Sequence, residues 1–559
     1  MAIAERQTVP RGIQSPAAEH WLGLIAVLVG LALALPVITI VYLAFTPAEN
    51  IWPHLIATVL PGYVWRTLAL MAGVGAVTFV IGTAAAWLVT MYRFPLRRMF
   101  QWASLVPLAA PTYIVAYTYV DFLSYAGPLQ TWMRGVFGWT TPADYWFPEI
   151  RSLPGAIFVM AMVLYPYVFL TARASFLRQP ATQIEVARAL GQTPWGAFYT
   201  VALPQARPAI AVGVSLALME CLNDIGAAGF FGVRTLPLGI YTTWLAQGNL
   251  GGAAQIAAVM LIFVFALLWM ERTARRRQTF AMPLQRSRGA GRVGLTGWRK
   301  WLAFGVCGLP IFLGFMVPGL VLMNFASHRL AQAATLAYLK AAGHSLLLAS
   351  TAAVIAVTLG LILAYANRIS ESMLTRKIIR LASAGYAVPG TVLGIGVLIP
   401  LAKFDNGLDG IMRGTFGIAT GLLLSGSIAA VTYAYVVRFL AISFGAIESG
   451  LEKVTPNLAA AARTLGRGPI AAFREVHLPL LKPALVSAAL LVFVDCMKEL
   501  PATLILRPFD FETLATTVFM LASLDQLEDS ALPALTIVAA GLIPVILLAR
   551  TLRDPKISS

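Results

Sequence analysis

Long apolar segments recur along the whole chain and constrain its fold more than any other feature. Hydrophobic residues make up 59% of the 559 residues and charged residues only 12%, whereas soluble domains carry roughly a quarter charged residues. A helix of about 20 apolar residues crosses a hydrocarbon core of about 30 Å and satisfies its own backbone hydrogen bonds there. The sequence therefore predicts an all-α polytopic membrane protein and excludes an ordinary soluble enzyme.

Hydropathy predicts about twelve transmembrane helices, six in each half of the chain. The predicted spans of the first half are 21–45, 67–90, 101–123, 155–177, 208–230 and 253–271. Those of the second half are 301–326, 344–366, 381–402, 416–442, 483–506 and 531–550. The first span continues without a small-residue cleavage site, so we do not expect a cleaved signal peptide. The three cysteines lie in apolar runs and are expected to be buried small hydrophobes.

The distribution of the basic residues predicts the orientation of the chain. The formal net charge is +17, but Lys and Arg occur in short segments between apolar runs rather than on one continuous surface, which argues against a nucleic-acid partner. Positive segments stay cytoplasmic, so both termini are predicted to be cytoplasmic and Asp144 and Asp409 to face the opposite side. The basic linker 272–300 either contacts anionic lipid or is a flexible positive-inside tether, and we favour the tether.

The two halves repeat one another. Arg463 and Gly466 follow Arg188 and Gly191 by 275 positions, and Pro389 follows Pro111 by 278 positions. Because each half has an even number of spans, this is a parallel repeat. The predicted domains are a tail at 1–20, units at 21–271 and 301–550 joined by the linker, and a tail at 551–559.

Each unit contains one polar, helix-friendly segment between apolar runs, which we call the first hairpin (181–206) and the second hairpin (451–481). Both begin with strong helix formers. Gly191 and Gly466 stand where a helix would stop and reverse, since Gly tolerates positive φ. A second short helix is predicted to follow and to be closed by Pro204 or Pro479. Such a hairpin predicts a docking surface for a soluble partner.

The hairpins resemble the EAA loop of bacterial ABC importer permeases, in which Glu-Ala-Ala and a Gly precede an apolar-x-Leu-Pro motif. The resemblance implies two tandem six-helix units of the type I importer fold in the bacterial inner membrane. It also implies that the helix before the Gly inserts into a cleft on an ATP-hydrolysing subunit. The implied ATPase-docking residues are Glu185, Ala187, Arg188, Gly191, Pro204, Ala462, Arg463, Gly466 and Pro479.

The second hairpin departs from the family pattern, because Ala460 stands where the first hairpin has Glu185. An alternative for both segments is an amphipathic hairpin that lies on the bilayer. We favour docking because two copies occur at corresponding places.

No phosphate-binding Gly-x-x-x-x-Gly-Lys-Ser/Thr motif occurs in the sequence. The chain is therefore predicted not to be an enzyme and to bind no cofactor. ATP and magnesium would bind a separate ATPase, of which two copies would engage the two hairpins.

Two predicted spans contain pairs of carboxylates. Glu220 and Asp224 are four residues apart, as are Asp495 and Glu499, so each pair is expected to share one helix face. A charge at this depth should face protein or water. The acids either line a cation pathway or are structural, with Lys498 paired to a carboxylate. Lys498 and Glu499 are adjacent and cannot face each other, so each is expected to have a partner on another helix. No metal site is firmly assigned.

The segments Glu220 to Gly232 and Lys498 to Pro508 look like fused ferric-iron permeases. The resemblance implies import of ferric iron from a periplasmic iron-binding protein by a permease surrounded by membrane lipid. Thiamine, phosphonate and polyamine permeases share this architecture and remain alternatives. A secondary transporter also predicts twelve spans and intramembrane acids, but not the two hairpins, and a membrane scaffold without transport is the third possibility.

Overall fold

The computed structural model describes residues 16–46, 51–276, 293–370, 372–383, 385, 388–452, 454, 458, 471 and 473–551. The described residues are almost entirely helical, apart from one parallel pair of two-residue strands, β1 (Tyr92–Arg93) and β2 (Val293–Gly294). The helices of the first half are α1 (Pro16–Phe45), α2 (Trp52–Ala57), α3 (Leu60–Met91), α4 (Arg97–Ala103), α5 (Thr112–Leu123), α6 (Pro128–Phe137), α7 (Leu153–Arg178), α8 (Ala181–Ala189), α9 (Pro194–Ala197), α10 (Leu203–Asn223), α11 (Gly226–Phe230), α12 (Leu236–Tyr241) and α13 (Leu250–Arg276). Those of the second half are α14 (Trp298–Ile311), α15 (Val317–His328), α16 (Leu336–Ile369), α17 (Met373–Ala382), α18 (Gly390–Phe416), α19 (Ile428–Glu452), α20 (Leu478–Met497), α21 (Pro501–Leu506), α22 (Leu514–Ser523) and α23 (Leu527–Thr551).

The contacts divide the chain into two compact units. One comprises Met1–Pro47 and Lys340–Thr513, and the other comprises Ala48–Leu339 and Leu514–Ser559. In the first of these, α1 packs against α17 and α18, and α19 packs against α20. In the second, α7 lies at the centre of the packing, with α3 and α10 against it.

Small residues allow the central helices of each unit to approach closely. A Cβ at Gly82 of α3 would lie 2.9 Å from the Tyr165 carbonyl oxygen of α7. The equivalent residue of the repeat, Gly360 of α16, faces α19, where a Cβ would lie 2.6 Å from Ser443 Oγ. Membrane helices associate through this kind of small-residue contact, since lipid provides no hydrophobic drive between them.

Eleven helices of the described residues are long and apolar enough to cross a membrane. A twelfth span is obtained if Arg97–Ala109 and Thr112–Phe137, which meet at 87°, are counted as one broken span. The count confirms the prediction of about twelve spans and an all-α polytopic fold. The bend occurs at Pro111, which has no backbone N–H and disfavours helical geometry at Ala110.

The ninth and tenth spans lie further along the chain than predicted. We placed them at 381–402 and 416–442, whereas α18 runs to Phe416 and α19 runs from Ile428 to Glu452. Helix α18 continues past the apolar run because its acidic residues have hydrogen-bond or ion-pair partners. Asp409 pairs with Arg413 at 2.6 Å, and Asp405 accepts the Ser425 backbone N–H at 2.7 Å. Hydropathy alone does not anticipate these partners.

Accessibility of introduced cysteines tests the predicted orientation. Ala143 and Ala419 lie in the loops after α6 and α18 and are at least partly exposed, and cysteines there are expected to react with an impermeant thiol reagent added outside, whereas Arg276→Cys and Ser559→Cys are not. Ala143 is preferable to Asp144, because the Thr141 and Thr140 backbone N–H groups lower the pKa of the Asp144 carboxyl by donating to it. External labelling at position 276 would mean that an odd number of spans has been miscounted.

Candidate functional site

The first hairpin has a helix, a reversal and a return. Helix α8 ends at Ala189, and Gly191 follows with φ +85°. The Gly191 N–H donates to the Arg188 carbonyl at 3.0 Å, and the Gln192 N–H donates to the Ala187 carbonyl at 3.1 Å. This pair of bonds is a Schellman motif, which satisfies the last carbonyls of the helix and requires the left-handed conformation at Gly191.

The first hairpin exposes large apolar side chains together with its charged ones. Glu185 and Arg188 are exposed, whereas Ala187 is buried. The exposed fraction is 80% for Leu190 and 65% for Trp195, and Tyr199 is also exposed. The Trp195 and Tyr199 rings stack at 6.2 Å. Contiguous exposed apolar side chains indicate an interaction surface.

The return arm of the hairpin is not closed by Pro204, contrary to the prediction. The chain passes from α9 through a π-helical turn, Phe198–Ala202, directly into α10, and Pro204 lies in the first turn of α10. Proline has no backbone N–H to donate to the preceding turn, and Pro204 stands just after the π-helical turn. The hairpin is therefore continuous with a membrane span.

In the described residues, the return arm of the second hairpin enters its membrane span in the same way. A π-helical turn, Phe473–His477, leads directly into α20, which carries Pro479 in its first turn. Phe473 and Pro479 are the repeat equivalents of Phe198 and Pro204. The other predicted docking residues of this hairpin, Ala462, Arg463 and Gly466, lie outside the described residues, as does Ala460.

Each carboxylate pair was predicted to share one helix face. In the structure, the two acids of each pair lie on either side of a helix break and do not share a face. Helix α10 ends at Asn223 and α20 ends at Met497, before the second acid of each pair. Asp224 and Glu499 then precede the short helices α11 and α21. Both side chains are buried, whereas Glu220 and Asp495 are partly exposed. Equivalent acids therefore have the same burial and the same position relative to the helix break in both halves.

Asp224 caps the short helix that follows it. Its Oδ1 accepts the Ala227 backbone N–H at 2.7 Å. Its Oδ2 accepts the hydroxyl of Thr112, from the start of α5. A carboxylate at this position satisfies helix donors that have no partner within the helix. These contacts join the helix break between α10 and α11 to α5 in the first half.

Glu499 also accepts bonds from a backbone N–H and a threonine hydroxyl, and it pairs in addition with a buried arginine. Arg438 Nη1 of α19 donates to Glu499 Oε1 at 2.9 Å, and both side chains are almost fully buried. Thr503 Oγ1 donates to Oε2 at 3.0 Å, and the Ala502 N–H donates to Oε1 at 3.2 Å. A Cβ at Gly390 would lie 2.5 Å from Oε1, so glycine there provides the space for the pair.

Asp495 pairs within its own segment. Lys498 Nζ lies 2.8 Å from Asp495 Oδ1, and both side chains are partly exposed. For Glu499, the expected partner on another helix is Arg438. Lys498 meets a carboxylate of its own helix turn, because residues three apart lie on the same side of a helix.

Arg438 and Thr112 were missed at the sequence level. Arg438 had a signal, since it is a lone cation in the apolar run of α19, and a charge in a membrane span needs a partner. Thr112 had none, because a threonine hydroxyl commonly bonds its own helix.

The three cysteines are free and buried, which confirms their expected role as small hydrophobes. Among the residues that the structure describes, no three His, Cys, Asp or Glu side chains are grouped as a resident metal site would require.

Residues 78–279 match the family described as the binding-protein-dependent transport system inner membrane component. With its tandem layout and eleven or twelve spans in the described residues, the chain resembles a fused permease of such transport systems. It is similar to the Fe(3+)-transport system permease protein FbpB 2 of Haemophilus influenzae, with 26% identity over 95% of this chain and 98% of the relative. It is also similar to two Escherichia coli proteins that cover less of it. The sulfate transport system permease protein CysW is 27% identical over 37% of this chain and 70% of its own length, and the molybdenum transport system permease protein ModB is 27% identical over 38% and 96%.

Proposed function

We propose that this chain is the membrane subunit of an ATP-driven importer that moves ferric iron from a periplasmic binding protein into the cytoplasm. It lies in the inner membrane with both termini cytoplasmic. Two copies of a separate ATPase engage the two hairpins, and the chain itself performs no catalysis. ATP and magnesium bind the partner, and iron is the cargo rather than a resident cofactor.

The geometry of the first hairpin supports docking. The exposed side chains of Leu190 and Trp195 flank the Schellman turn, where Glu185 and Arg188 add charge. A partner that covers these apolar side chains removes them from water, which is favourable by about 25 cal/mol per Å². Because the return arm continues into α10 without a break in the helix, force applied at the hairpin reaches a membrane span directly.

The acidic residues at the helix breaks after α10 and α20 support a cation as substrate. Equivalent positions in both halves are acidic, and the first acid of each pair, Glu220 or Asp495, is the more exposed. Hard cations prefer oxygen ligands, whereas sulfate or molybdate calls for cationic side chains or helix N-termini. The full-length similarity is to the permease named for Fe(3+) transport, and the sulfate and molybdenum permeases match only part of the chain.

Uptake of labelled ferric iron tests the proposal. The chain is reconstituted in vesicles with its partner ATPase and a periplasmic iron-binding protein, and iron accumulation is expected only when ATP is supplied on the side that carries the ATPase. Excess thiamine, 2-aminoethylphosphonate, polyamine, sulfate or molybdate is expected not to compete. Accumulation of one of these instead would assign a different substrate to the same architecture, and uptake that persists without ATP would indicate a secondary transporter.

Amide substitutions test the substrate route. We expect Glu220→Gln and Asp495→Asn to lower iron uptake per folded transporter while ATPase assembly stays normal, because the amides keep the shape and remove the charge. Removal of one charge–charge interaction in a partly exposed site corresponds to a loss of roughly fivefold. Glu528→Gln, which changes an exposed acid at the start of α23 outside both helix breaks, is the control. Unmodified uptake by both pathway variants would leave the acids with a structural role only.

A further inference from the structure

One aromatic side chain contacts both the end of α7, which leads into the first hairpin, and the return arm of that hairpin. Trp87, near the end of α3, has its ring centroid 5.2 Å from that of Phe176, in the last turn of α7 before the hairpin. The ring centroid of Trp87 also lies 4.9 Å from that of Phe198, the first residue of the π-helical turn in the return arm. All three rings are buried. Helix α3 is therefore joined to the chain where it enters the hairpin and where it leaves.

The second half repeats this contact with a different ring. Tyr365 of α16 follows Trp87 by 278 positions, and Phe473 follows Phe198 by 275. The Tyr365 ring centroid is 5.2 Å from that of Phe473 and 5.9 Å from that of His477, both in the second π-helical turn. The same junction therefore occurs in both halves, although the residue type on the membrane helix differs.

The second junction has polar contacts to the other arm of its hairpin. Arg368 Nη1 donates to the Leu451 carbonyl and Nη2 donates to the Val454 carbonyl, each at 2.7 Å. Asn367 Nδ2 donates to Glu448 Oε1 at 2.9 Å. The arginine bonds satisfy carbonyls at the end of α19, which have no partner within the helix. Thus α16 also holds both arms of its hairpin.

The first half replaces the arginine with a bond between the two arms. Thr90 is the repeat equivalent of Arg368, and its hydroxyl donates to the Ala86 carbonyl of its own helix. Gln179, just after α7, donates through Nε2 to the Ala202 carbonyl at 2.9 Å, across the base of the hairpin. In the first half, a polar bond thus joins the two segments that the ring of Trp87 contacts.

We propose that Trp87 and Tyr365 are positioning residues that couple movement of the two hairpins to α3 and α16, with Arg368 adding a polar anchor in the second half. Each junction includes a π-helical turn, and such turns are rare and occur frequently at functional sites. Because each ring packs against the return arm of its hairpin, the membrane helix follows the movement of that arm. The inference rests on the docking role proposed above and is independent of the substrate.

The ratio of ATP hydrolysed to substrate moved tests the inference in the assembled transporter. Trp87→Ala is expected to raise this ratio by roughly threefold or more, in the range of coupling changes produced by residues that touch neither ligand. Trp87→Phe, which keeps a ring, should stay near the unmodified ratio. Tyr365→Ala and Tyr365→Phe form the same comparison in the second half. Phe158→Ala removes an aromatic contact to Tyr119 away from the hairpins and is the matched control.

A purely structural role would lower the yield of folded transporter and leave the ratio unchanged, which would overturn the inference. If Trp87→Ala does not fold, Trp87→Leu retains an apolar side chain without the ring and must show the raised ratio. The proposed function fails separately, when the unmodified chain does not retain the ATPase during purification.

Discussion

Replacement of Glu499 by glutamine is expected to lower the free energy of unfolding by about 3–5 kcal/mol, because it removes the carboxylate that neutralises a buried guanidinium. Arg438 lies 2.9 Å from Glu499 with both side chains almost fully inside the protein. An amide can still accept one hydrogen bond, but it directs donors toward the Thr503 hydroxyl and backbone N–H. The thermal denaturation midpoint of the detergent-solubilised protein measures the loss.

Two comparisons separate the effect of the buried charge from a general sensitivity of stability to any substitution near the break between α20 and α21. The double variant Arg438→Met with Glu499→Gln is expected to recover much of the stability, because removing both charges costs less than removing one. Asp495→Asn breaks the partly exposed pair with Lys498 and should cost no more than about 1 kcal/mol. An unchanged denaturation midpoint for Glu499→Gln alone would contradict the buried pair.

Substitution of Gly191 by proline is expected to abolish transport while the protein still reaches the membrane. The residue has φ +85°, and its N–H closes the Schellman turn to Arg188. Proline has φ near −65° and no N–H, so it cannot adopt this conformation. A Cβ at this position meets no atom within 4 Å, so folding elsewhere should be intact. Substrate uptake and ATPase retention are measured per folded transporter.

Alanine substitutions provide the graded control. Gly191→Ala keeps the N–H and is strained by roughly 1–2 kcal/mol, so uptake should fall by about thirtyfold at most. Gly138 also has positive φ, +70°, with open space around it, but it ends α6 far along the chain from both hairpins. Gly138→Ala is therefore expected to transport normally. Normal transport by well-expressed Gly191→Pro would exclude the docking role of this turn.

Gly466→Pro should behave like Gly191→Pro if the second hairpin, whose turn lies outside the described residues, is equivalent.

Local signals were sufficient for the turn of the first hairpin but not for its return arm. The turn at Gly191 depends on one residue that tolerates positive φ, and the sequence showed it. The continuous helix through Pro204 was not anticipated, because proline in a first turn and proline at a helix end look alike in a sequence. The π-helical turn that precedes Pro204 has no composition of its own.

The sequence by itself determined the membrane class, the approximate number of spans and the tandem repeat, because hydropathy and residue spacing are properties of continuous segments. Only the tertiary structure decided where α18 ends, since Asp405 is satisfied by backbone groups about twenty residues later. It also decided that Glu499 belongs to Arg438, 61 positions away, and that Asp224 and Glu499 lie at helix breaks rather than on a helix face. A buried charge needs a partner, but which partner it meets depends on how the helices pack, and that information is not local.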